Sequence, residues 1–157
     1  MNALSTRTFT NANLLSSPMI RRSSSLFDID KDFGTLSSSK TKTASSTASK
    51  QDSIYYQFTL DKRSKAQVTL QNNRSFNPFT DLFKKPSVFA AVLNESGSTL
   101  QTLASVDPGK TKKFTTNKFD SGTYYLKVSV KGSNRSVDYQ LQIRRASSGL
   151  FGTGLFG

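Results

Sequence analysis

From Ser53 onward, apolar and polar positions alternate in short runs. The clearest run follows Asp120-Ser121-Gly122, where Gly tolerates positive φ and Asp bonds its own backbone to form a turn. Tyr124, Leu126, Val128 and Val130 then fall on one face, and Thr123, Tyr125, Lys127 and Ser129 on the other. A period of two in aromatic and β-branched residues predicts a half-buried antiparallel strand. The same pattern recurs in Ile54, Tyr56, Phe58 and Leu60, in Ala66, Val68 and Leu70, and in Val137, Tyr139, Leu141 and Ile143. Ser87 to Leu93 is apolar throughout and reads as a more central strand. Thr99 to Ala104 and Thr111 to Thr116 complete the set. Asn94-Glu95-Ser96-Gly97, Asp107-Pro108-Gly109 and Gly132-Ser133-Asn134 supply the turns between them.

Short strands with frequent turns and no convincing helix predict an all-β, antiparallel, jelly-roll-like β-sandwich over residues 53–143. Tyr56, Phe58, Val68, Val92, Leu126, Val128 and Leu141 are its expected core. Ahead of it, Gly34-Thr35-Leu36 is a short edge strand, and Ser37 to Lys50 is a Ser/Thr/Lys-rich strand or loop that no core explains. Residues 1–31 read as an extended basic arm, 32–143 as the sandwich and 144–157 as a flexible tail.

One segment interrupts the alternation. Gln71 to Pro86 contains Phe76, Phe79, Leu82 and Phe83 in an irregular stretch that includes Pro78 and ends at Pro86. The favoured expectation is a loop that folds its Phe side chains over the open end of the sandwich. The sharper one is an aromatic contact surface, since aromatic residues are enriched at binding cores.

Composition narrows the chemistry. The 157 residues include no Cys, no His and a single Glu, Glu95. The commonest general base and transition-metal ligand is therefore absent, and no Ser has a base to activate it. No enzyme and no cofactor are expected. The net charge of +12 favours acidic partners, although no Lys/Arg run exceeds two residues. No secretory signal and no stretch near the ~20 apolar residues of a membrane helix is visible.

The motifs, in order, resemble a known family. Asp32-Phe33-Gly34-Thr35-Leu36, Asp52 to Leu60, Ser121-Gly122-Thr123-Tyr124-Tyr125-Leu126-Lys127-Val128 and Val137-Asp138-Tyr139-Gln140-Leu141 are similar to the bacterial pre-peptidase C-terminal domain, in its cyanobacterial versions. The resemblance covers about residues 32–143. It implies a non-catalytic jelly-roll-like sandwich, usually a secreted appendage of peptidases or adhesins that aids folding, secretion or binding to polymeric substrates. The basic Phe76 to Pro86 insertion, the missing enzyme domain and the missing export signal depart from that pattern.

Three groups of candidate residues follow. Asp28, Asp30 and Asp32 have the spacing that opens a calcium loop, but position six is Phe33 and position twelve Ser39, where such a loop needs Gly and Glu. Solvated turn residues are the favoured reading. The tail repeats Gly-Leu-Phe-Gly, and Leu150, Phe151, Leu155 and Phe156 read as docking anchors. Two copies are too few to assign it to the nuclear-pore repeats it resembles. Phe76, Phe79 and Phe83, with Arg21 and Arg22 of the arm, complete the expected partner contacts. Tyr55, Tyr125 and Lys127 hint at a nucleic-acid face, but outward Tyr and Lys are ordinary on a solvated sheet.

The expected function is non-enzymatic: a basic linker or scaffold subunit, cytoplasmic, docking on an acidic protein assembly such as a cyanobacterial light-harvesting antenna. The alternatives are a secreted adhesive or substrate-binding module and a polyanion binder. No nucleic-acid partner is expected, and a homo-oligomer is left open.

Overall fold

The computed structural model describes residues 26–83 and 85–147. Nine strands and one short helix follow in order: β1 Ile29–Thr35, β2 Lys42–Ala48, β3 Ile54–Leu60, β4 Ala66–Asn72, α1 Pro78–Asp81, β5 Ser87–Leu93, β6 Thr99–Thr102, β7 Thr111–Thr115, β8 Gly122–Lys131 and β9 Val137–Arg145. They form a β-sandwich of a five-stranded sheet, β1-β3-β8-β5-β6, and a four-stranded sheet, β2-β9-β4-β7. Only the β5–β6 hairpin stays within one sheet; every other connection crosses to the other.

The strand that the alternation singled out, β8, is the middle strand of its sheet. Leu126 lies level with Tyr56 on β3 and Val92 on β5. β9 is flanked by β2 and β4 in the facing sheet, with Leu141 level with Leu70. All seven expected core residues are fully buried. Within the core, the Tyr56 and Tyr139 hydroxyls meet at 2.6 Å across the two sheets. Burial raises both phenols above the usual tyrosine range.

Three features differ from the expectation. The sandwich is not wholly antiparallel, because β1 runs parallel to β3, with irregular register. β1 also starts at Ile29, ahead of the expected Gly34-Thr35-Leu36 strand. The Ser/Thr-rich stretch is explained by the core after all: β2 pairs with β9 in unbroken register, and Ala44 and Ala48 face inward. Its inward residues are too small to give a hydrophobic signal. Finally, Tyr125 is buried rather than outward on a solvated face. Phe27 stacks on Tyr55 at 4.5 Å and tilts against Tyr125 at 5.0 Å, covering that part of the outer surface.

Candidate functional site: a basic, aromatic loop end

The β2–β3, β4–β5, β6–β7 and β8–β9 connections all lie at one end of the sandwich, as the strand directions require. The β4–β5 connection, residues 73–86, is the longest of these. Its roots are fixed by Asn72, which is fully buried. The Asn72 amide donates to the Pro86 and Val106 carbonyls, both at 3.0 Å, and its Oδ1 accepts from the Arg74 backbone N–H at 3.1 Å. One side chain thus ties both limbs of the loop to the β6–β7 connection. On the far side, Gly132 has a φ of 84°, and a Cβ there would lie 2.2 Å from the Lys85 carbonyl oxygen. The β8–β9 turn therefore seats the second limb only because residue 132 is Gly.

The loop holds α1. Asn77 caps it by accepting from the Phe79 N–H at 3.0 Å, and Pro78 sits at the first helical position, where no amide donor is needed. Asp81 is 2% exposed and accepts from the Asn77 N–H at 2.9 Å, Arg74 Nη2 at 3.0 Å and the Thr80 hydroxyl at 3.2 Å. The Asn77 hydrogen bond and the Arg74 guanidinium hold its carboxyl below the usual aspartate range.

With the polar groups turned in, the apolar ones point out. Phe79 is 92% exposed, Phe83 89%, Leu82 63% and Phe76 48%. They are four of the six exposed large apolar side chains among the described residues, the others being Leu26 and Leu100. The expectation that these Phe side chains fold over the sandwich end is therefore overturned. The buried Asp81–Arg74–Asn77 network takes the inward positions and leaves the rings in solvent.

Cations surround this tip. Lys85 lies over the Phe76 ring and shares a shallow concavity with Lys50, Phe83 and the 132–134 turn. Arg135 is close enough to bear on Asp81. Among the described residues, Lys50, Lys85, Lys110, Lys131 and Arg135 make no ion pair. Of the carboxylates at this end, Asp81 pairs with Arg74, while Asp107, Asp52 and Asp138 accept from the Ser87, Ser49 and Thr47 hydroxyls.

The other expected residues fall elsewhere. Arg21, Arg22, Leu150, Phe151, Leu155 and Phe156 lie outside the described residues. Asp28 and Asp30 line a hollow with Asp52 and Tyr55, while Asp32 accepts from the Gly34 N–H and the Gln57 amide. Among the described residues no three such ligands gather into a group that would hold a metal ion, and no helix is long and apolar enough to cross a membrane. Sequence reasoning missed Asn72 and Asp81. The Asn77-Pro78 pair, a capping residue before a first-turn proline, was the available signal for α1.

No protein-family model matches the chain, and no curated protein matches it. Among solved structures it is similar to the pre-peptidase C-terminal domain of a collagenase from Bacillus anthracis, at 15% identity and a TM-score of 0.49, over 75% of this chain and 98% of that one. It is also similar to a chain of Bacillus endospore appendages, at 14% and 0.43, over 69% and 87%. The Aeromonas hydrophila periplasmic inhibitor of g-type lysozyme matches at 12% and 0.40, over 73% and 98%. The first is a domain of the kind that the sequence motifs resemble. At such identities and TM-scores none of these likenesses says what this chain binds, and none bears on the cyanobacterial type.

Proposed function

We propose that this protein is a non-enzymatic interaction module that docks, through the 76–83 loop and its ring of cations, on a large acidic surface. One observation carries the reading: a buried carboxylate network is spent on holding Phe79, Leu82 and Phe83 outward. Exposed apolar clusters are costly in solution and mark interaction sites. Unpaired lysines and arginines around such a cluster steer it to negative charge. A linker or scaffold role on an acidic assembly is the form of this reading that the sequence suggested, with a secreted adhesive module as the alternative.

The test compares the full chain with a Phe79→Ser/Phe83→Ser variant in retention of material from a native lysate at low salt. Both positions are exposed, so melting should be unchanged while retention drops. Equal retention by the two proteins contradicts the proposal.

A further inference from the structure

We infer that the acidic surface on which this loop docks is an anionic lipid bilayer. The inference rests on reading the loop as a docking surface, and it adds what the surface is made of.

The exposure of the tip points to lipid. Phe79, Leu82 and Phe83 stand on and just after a single helical turn and project from it, two-thirds to nine-tenths exposed. Most of the surface of these three side chains is free, and Phe83 also edges the shallow concavity shared with Lys50 and Lys85. A folded protein partner would need a surface shaped to receive all three side chains, whereas the fluid boundary of a bilayer moulds to any exposed apolar cluster. Apolar side chains bury ~5–10 Å into that boundary when they enter it. Such entry needs no spanning segment.

The charges are arranged to match. Lys50 lies on the β2–β3 connection, Lys85 on β4–β5, Lys110 on β6–β7, and Lys131 and Arg135 flank β8–β9. All four connections at this end therefore contribute a cation, and none of these five is in an ion pair among the described residues. Cations on all four connections can meet a sheet of anionic headgroups together. Each such cation contributes about a fivefold gain in binding to anionic lipid. Of the carboxylates at this end, Asp81 pairs with Arg74, and Asp52, Asp107 and Asp138 accept from the Ser49, Ser87 and Thr47 hydroxyls. Asp28 and Asp30 lie at the start of β1, on the sheet edge and separated from β5 by two strands. The Arg74–Asp81 pair ties down the base of the loop, which lowers the chain entropy lost when the tip inserts.

The experiment uses the full chain, which contains no Trp. A Phe79→Trp variant therefore carries a single reporter at the tip. Mixed with vesicles of phosphatidylcholine and phosphatidylglycerol, its emission should shift to the blue and be quenched by brominated acyl chains. Vesicles of phosphatidylcholine alone should give little change. Co-sedimentation of the unlabelled protein with the anionic vesicles should fall at least about tenfold in a Phe79→Ser/Leu82→Ser/Phe83→Ser variant. Lys50→Gln, Lys85→Gln and Arg135→Gln should each lower it about fivefold.

An unshifted emission with the anionic vesicles, or equal sedimentation of the triple Ser variant, overturns the inference. If vesicle binding is absent and an acidic protein is captured in a way that depends on the three apolar residues, the lipid assignment falls and the docking reading stands. If the triple variant behaves as wild type in both assays, both fall.

Discussion

Tyr56 and Tyr139 are read in the sequence as two more apolar positions of alternating strands, yet their hydroxyls form a polar crosslink between the sheets. A buried hydroxyl that loses its partner keeps its desolvation cost, whereas removing both partners can be nearly neutral. Tyr139→Phe should therefore cost about 1 kcal/mol, and the Tyr56→Phe/Tyr139→Phe double variant less than the sum of the singles, as a urea-melt double-mutant cycle will show. The same burial makes the fold sensitive to alkali. Both phenols have folded values raised above the ordinary ~10, so their contribution is complete below that pH and is lost as pH rises above it. Phenolate absorption from these two should grow only as near-ultraviolet dichroism disappears; their ionisation in an intact fold contradicts the account. Leu126→Ala, in the central strand, should cost roughly 2–5 kcal/mol in the same melts. An effect below ~0.5 kcal/mol would mean that Leu126 is not in a close-packed core.

At the scale of elements, legibility follows side-chain size. β3, β4, β5, β8 and β9 are visible in the sequence because mostly large apolar residues fill their inward positions. β2 is hidden because Ala44 and Ala48 face inward from it, although its register with β9 is unbroken. β1 is hidden for another reason: its bulged, parallel pairing with β3 leaves only Phe33 as a clear inward anchor. The turn glycines were legible, but the role of Gly132 was not, since the Lys85 carbonyl that it meets is 47 positions away in the chain. Gly132→Ala combines a left-handed backbone with that overlap. It should destabilise by about 1–3 kcal/mol and raise hydrogen exchange in residues 76–86 more than in β8. Asp81→Ala should loosen the same loop without changing exchange in the core strands. Uniform exchange across the loop and the sheets in that variant would mean that the carboxylate network does not hold the tip.

At the scale of the whole molecule, core and loop end differ in what the chain reveals of them. The class of fold was legible in the alternation, and the candidate docking residues Phe76, Phe79 and Phe83 were legible by type and by the break in pattern. Their direction was not, because it is decided by Asp81 and Asn72, polar residues whose burial no periodicity reveals. The ring of cations was legible only as a total of +12, since it gathers from four connections far apart in sequence. Because exposed charges are screened beyond about 8 Å at physiological ionic strength, docking should weaken as salt rises. The central claim is that this end, and not another surface, makes the contact. A benzophenone amino acid in place of Phe79, compared with one in place of Thr69 on the four-stranded sheet, tests it most directly in native extract. The account predicts a photo-adduct at position 79, with lipid or protein, that is strong at low salt, fades at high salt and is missing at position 69. Adducts of equal yield at both positions, or none at position 79, would contradict it.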